Sequence, residues 1–336
     1  MFPAALSFRR RSSDSLPLAC QPDPAACFRK HIYGCRCRQT RLASTGIMQL
    51  TKNFVKAKQP CAAGYRWFIR DHNGQGEYQQ LLDALVAANR IEDACWLLDQ
   101  FGPIDAIRQV DAVEANAMIF AGELVVRQGI EVDAIVRTGR SIRTQGSIRA
   151  DIVQAGGDVS AEGGIRCTGD LRAGGDVLAG WGLDVGGKLQ CGGQLRAQWD
   201  LVVVGEAQVG GNLHVGANLE AQASLVCQQG VKVGGSIAVA GSLKITRGLI
   251  AGGGVVIEDY LDSGWGIKAG DDIRAGSAIR AGEGIETPGL LEAGEGHGVY
   301  AGLGVRFDAW EVSARVQARQ RPAELISGYW VELAEA

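Results

Sequence analysis

The stretch that decides the fold is LRAGGDVLAGWGLDVGGKLQCGGQLRAQWDL, residues 171–201, which sets a large aliphatic at every sixth position: Leu171, Val177, Leu183, Leu189, Leu195 and Leu201. A helix repeats its faces every 3.6 residues and a strand every 2, so a strict period of six describes neither. Extending the step from Val153 to Leu291 visits 24 positions, of which 23 hold Val, Ile or Leu and one, Ala207, does not. Such regularity marks an internal repeat. Two residues after each aliphatic comes a small or β-branched residue, as at Ala173, Ala179, Val185, Cys191 and Val203. The first and third residues of each hexad thus face inward as a short strand, the second faces water, and a glycine-rich remainder turns a corner. Glycine suits a corner because it reaches positive φ without steric cost.

Three strands and three corners make an 18-residue coil. Stacked coils make a single-stranded parallel β-helix, an all-β solenoid whose backbone ladders run from coil to coil. Upstream of Val153 the phase slips by one residue and continues through Ile148, Ile142, Val136, Ile130 and Leu124, so one corner is expected to be short. Residues 124–297 give about ten coils and a rod roughly 45–50 Å long at the ~4.8 Å inter-strand spacing.

The chain divides into four parts. Residues 1–47 carry eight Lys or Arg against Asp14 and Asp23, a net of +6 that leaves about −9 on the rest of a chain whose formal charge is −3. This stretch lacks apolar periodicity and a secretory h-region; it is expected to be disordered, either an extension upstream of a start at Met48 or an Arg-rich transit peptide. Residues 48–105 are read as an extended aromatic lead-in, GYRWFIRD, followed by an αα-hairpin. One helix places Tyr78, Leu81, Leu82, Leu85 and Val86 on one stripe and the other Ala94, Leu97 and Leu98, with stop signals at Asn89 and Gly102. The hairpin is expected to cover the open end of the solenoid or to dock a partner. The β-helix proper spans 106–300, with irregular first coils over 106–123. Residues 301–336 are expected to cap the other end with strands, one alternating at Val312, Ala314, Val316 and Ala318 and a last one at SGYWVEL.

No run approaches 18 apolar residues, so no transmembrane segment is expected. An acidic body disfavours nucleic acid as a partner. Cys167, Cys191 and Cys227 fall on small inward positions and read as buried free thiols, which implies a reducing compartment and a cytoplasmic location. Cys27, His31, Cys35 and Cys37 could offer four metal ligands, but their spacing matches no usual zinc pattern. No metal or cofactor is expected.

Catalytic chemistry is sparse. His214, on an outward hexad position, is the one candidate base for an acyltransferase of the left-handed hexapeptide kind, but here the small residue follows the aliphatic instead of preceding it. Asp184, Val202 and Glu220 stack at offsets of 18 and make no carboxylate pair, while Asp271, Asp272, Glu283 and Glu286 scatter near corners. The surviving feature is Trp181 with Trp199, 18 apart at the fifth hexad position, on one corner of neighbouring coils. Exposed, they offer an aromatic ledge to a protein partner or a glycan ring; alternatively they cover the hairpin or the C-terminal segment. Trp265 shares the hexad position on a different corner.

Repeats such as GDLRAGGDVLAG and GGSIAVAGSLKI, with an apolar interior and free thiols, resemble the bactofilins, polymer-forming bacterial cytoskeletal proteins. The resemblance covers roughly residues 124–297 and implies a right-handed solenoid with a scaffolding role. The helical hairpin and the long aromatic tail depart from that family and would obstruct end-to-end stacking. The expected function is therefore that of a non-enzymatic scaffold or polymer-forming protein, acting through a protein partner or another copy of itself. The alternatives are a β-helix enzyme acting on carbohydrate or transferring acyl groups, and a binding module that recruits through its hairpin.

Overall fold

The computed structural model describes residues 41–43, 48–305 and 309–332. Its dominant feature is a parallel β-solenoid of about 12 coils, roughly 55–60 Å long, preceded by a helical module. In the hexads from Val153 to Ile285 the first and third residues are buried and the second is not: Leu195 and Ala197 enclose exposed Arg196, and Leu225 and Cys227 enclose Val226. Ala207, where an aliphatic is due, is buried among them.

Every third strand shares a face. Face 1 carries Ile165–Cys167, Leu183–Val185 and Leu201–Val203; face 2 carries Leu171–Ala173, Leu189–Cys191 and Ala207–Val209; face 3 carries Val177–Ala179, Leu195–Ala197 and Leu213–Val215. Registers step by 18, as in Leu195↔Leu213↔Val231 on face 3. The phase slip lies where the sequence puts it, with a short corner between Ile148–Ala150 and Ile152–Ala155, so that Val159 pairs with Ile142, 17 residues earlier. The coils before Leu124 are more regular than expected: Ile107–Val110 and Val113–Phe120 pair parallel with the next coil, interrupted by one bulge at Ala115/Ala117.

The corner glycines are needed for a different reason from the one the sequence suggests. Among the described residues the left-handed glycines are Gly74, Gly102, Gly296, Gly302 and Gly328, none in the regular coils. The constraint is the close approach of successive coils. A Cβ on Gly192 would stand 2.2 Å from the carbonyl oxygen of Gly174. Where a corner ends in Asp or Asn, that residue adds a side-chain ladder of its own: Asp158 accepts from the Asp176 amide at 2.9 Å, Asp176 from Gln194 at 2.7 Å and Asp200 from Asn218 at 2.9 Å.

The helical module has four helices: α1 (Lys52–Ala57), α2 (Ala62–His72), α3 (Tyr78–Ala87) and α4 (Ile91–Phe101). The segment GYRWFIRD is helical, part of α2, and not an extended lead-in; its Trp67 and Phe68 turn into a core shared with Leu81, Leu85 and Leu97. The hairpin of α3 and α4 forms as expected, with Asn89 at φ 55 and Gly102 at φ 74 closing its helices. It covers the first coil. Buried Gln79 on α3 donates to the Ile119 carbonyl at 3.1 Å and accepts from the Ala121 amide at 2.9 Å, so one side chain satisfies two backbone groups at the bare edge. Arg108 to Asp83 at 2.9 Å, Arg140 to Asp105 at 2.8 Å and Arg137 to Asp99 surround that contact.

At the far end the expected strand over 312–318 is shorter. Val312 lies on a helical turn, α5 (Trp310–Ser313), and is exposed; Arg315–Gln317 is the strand, with Ala314, Val316 and Ala318 buried around it. Local hydrogen bonding to the Ala309 carbonyl, from the amides of Val312 and Ser313, wins over the alternation. Tyr329–Trp330 then pairs with Arg315–Val316 as the last strand of face 3.

Candidate functional site

Face 3 is bordered by tryptophans on both sides. Trp181 and Trp199 occupy the corner between faces 3 and 1 on neighbouring coils, their backbones joined by the Trp199 amide donating to the Trp181 carbonyl at 3.3 Å. They are 66% and 65% exposed, so they do not cover the hairpin or the C-terminal segment. Trp265 lies several coils further on, at the corner between faces 2 and 3, half exposed, with the Arg247 guanidinium 5.3 Å from its ring centre. The three rings mark a diagonal across the face.

Between them the outward residues of successive coils are Leu178, Arg196, His214, Lys232 and Ile250. Each sits there because it is the second residue of a face 3 hexad. Together with Gln194, Asn212, Arg247 and Trp265 they line an open trough of about 560 Å³. Burial, then the neighbouring Arg196 and Lys232 cations, lower the pKa of His214. His214 thus stands in a row of cations, its cross-strand neighbours on both sides being Arg196 and Lys232 and neither a carboxylate that could orient it as a base. Asp176 borders the trough, but its Oδ1 is committed to the Gln194 amide.

Other titratable groups are engaged in the ladders. Asp184 accepts from Arg166 at 3.0 Å, Glu286 from Lys268 at 2.8 Å, and Asp272 caps the Leu290 amide at 2.7 Å. Among the described residues no group of His, Cys, Asp and Glu is placed to hold a metal ion; Cys27, His31, Cys35 and Cys37 lie outside the described residues. Burial pushes the Cys167 thiol up to about 12 and Cys191 up to about 11, and raises Cys227 as well. All three are free thiols in the core, as their inward positions imply. No helix of the described residues is long and apolar enough to cross a membrane.

The cation row is a signal that neither the carboxylates nor the tryptophans reveal at an offset of 18. The same step from Arg196 reaches His214 and Lys232, so the signal is present in the sequence.

Fold and face together define a helically capped parallel β-solenoid with an aromatic-bordered basic face. A family model described as the YdhT N-terminal domain matches residues 48–101, the four-helix module. No curated protein and no solved structure matches the chain.

Proposed function

We propose that this chain is a non-enzymatic scaffold, a rigid β-solenoid that holds partners along its faces. The observation that carries this reading is the exposure of Trp181, Trp199 and Trp265 on corners that are locked to their neighbours by coil-to-coil backbone hydrogen bonds. Exposed aromatics on a framework with little conformational freedom lose little entropy when a partner binds. Buried free thiols fit a reducing compartment, and the cytoplasm is the proposed location.

Polymer formation of the bactofilin kind is a second reading. It is favoured by the C-terminal end, where face 3 terminates in the short strand Tyr329–Trp330. The covered first coil argues against it, since a filament needs both ends. Size-exclusion chromatography with light scattering, and negative-stain microscopy over a concentration series, separate the two. Discrete short rods of constant mass support the scaffold; filaments that lengthen with concentration overturn it in favour of the polymer.

A further inference from the structure

Most basic residues on the outward ladders meet an acid one coil away; even Arg149 and Arg166, which are neighbours, pair with Glu131 and Asp184 on their other sides. One coil apart, Arg166 meets Asp184 at 3.0 Å, Lys188 meets Glu206 at 2.9 Å, Lys268 meets Glu286 at 2.8 Å and Arg274 meets Glu292 at 2.8 Å. Adjacent strands set such side chains ~4.8 Å apart, where opposite charges attract and like charges repel. Arg196, His214 and Lys232 depart from this pattern, with three basic side chains on consecutive coils and no acid between them. The chain gains no stability from that row.

The surroundings indicate what would complement it. Arg247 adds a further cation at the flanking corner and leaves much of the Trp265 ring open to solvent. Gln194 and Asn212 bring side-chain amides to the same trough, Asp176 borders it with one carboxylate oxygen held by the Gln194 amide, and Leu178 and Ile250 lie at the two ends of the cation row. Cations for acid groups, amides for hydroxyls and a flat ring for the C–H face of a pyranose are the three contacts that an acidic sugar chain uses.

Spacing discriminates against other polyanions. Arg196 and Lys232 lie two coils apart, about 9.6 Å, whereas an extended peptide repeats its same-side residues at about 6.8 Å and falls out of step. Duplex DNA carries a charge every ~1.7 Å and would need far more cations than this row supplies.

We propose that face 3 binds an acidic polysaccharide lying along the solenoid axis, its carboxylates on Arg196 and Lys232 and one ring on Trp265. This deepens the scaffold reading by naming a ligand class for one face, and it is tested separately: absence of binding would leave the light-scattering result untouched.

The test is isothermal titration of the full-length protein at low salt with hexamers of galacturonate and mannuronate, a heparin hexasaccharide, neutral maltohexaose, a short polyglutamate and a single-stranded oligonucleotide. The expected result is saturable binding of at least one acidic sugar and none of maltohexaose. Arg196→Gln combined with Lys232→Gln should weaken that binding about tenfold or more. Trp265→Ala should weaken it several-fold, and Trp181→Ala should not. The double variant relieves like-charge repulsion, so its melting temperature should equal or exceed that of the parent, which rules out misfolding as the cause. Failure of every acidic sugar to bind, undiminished binding by the double variant, or tighter binding of polyglutamate or the oligonucleotide would overturn the proposal.

Discussion

At the scale of single residues, the solenoid depends on atoms that are missing as much as on those present. Gly192 has no room for a methyl group, because its Cβ would meet a backbone oxygen at 2.2 Å; at Gly230 the nearest atoms would be 3.5 and 3.6 Å away, ordinary contact. Gly192→Ala is therefore expected to cost about 1–3 kcal/mol through forced backbone movement, and Gly230→Ala less than about 0.5 kcal/mol. Urea denaturation of the two variants measures the difference; equal losses would mean that conformational freedom and not crowding selects glycine here. His214 gives a second residue-scale expectation. Its folded pKa lies below the ordinary 6.5, so the unfolded chain binds the proton more readily. The resulting loss of stability is absent well above pH 6.5 and appears as pH falls through that value toward the folded pKa. Melting temperatures measured across this range should fall slightly more for the parent than for His214→Gln. An acidic ligand on face 3 would reverse the trend by favouring the imidazolium.

At the scale of elements, the strands were legible and part of the helical module was not, for a physical reason. A period of six with small partners two residues later calls for stacked coils of three short strands, so the strands from Ile142 to Leu291 follow from residue type alone. GYRWFIRD was misread because its aromatic and β-branched residues favour strands locally; tertiary packing of Trp67 and Phe68 against Leu81 and Leu85 overrides that preference. The docking of the hairpin is equally hidden, since it combines apolar packing of Ile119 and Ala121, two ion pairs and a single glutamine, none of which forms a motif. At the first coil's edge the strand Arg41–Ala43 pairs antiparallel with Ile107–Gln109, while Gln79 serves the Ile119–Ala121 stretch, so Gln79→Ala would leave the Ile119 carbonyl and the Ala121 amide without partners. A loss of about 1–3 kcal/mol is expected. Hydrogen exchange should localise it to a faster Ala121 amide, with amides of the central coils unchanged. Uniform acceleration along the rod would indicate that the module and solenoid unfold as one unit.

At the scale of the whole molecule, the two ends differ, and that asymmetry governs assembly. Each coil satisfies the backbone groups of the next, so an end coil has a full row of donors and acceptors to give away. The helical module occupies part of that row at the first coil through Gln79 and flanks it with Asp83 and Asp99, which pair with Arg108 and Arg137. Removing residues 1–103 would bare the Ile119–Ala121 edge, unpair Ile107–Gln109 from Arg41–Ala43, and strand Arg108 and Arg137 without Asp83 and Asp99, while Arg140 keeps Asp105. The truncated solenoid is expected to associate through this edge, forming elongated assemblies or aggregates under conditions where the full-length chain stays discrete. Negative-stain microscopy and light scattering on matched concentrations provide the comparison. Continued discreteness of the truncated chain would mean that the coil edge is not adhesive by itself. The role of the helical module would then lie in binding a partner and not in keeping one rod from joining the next.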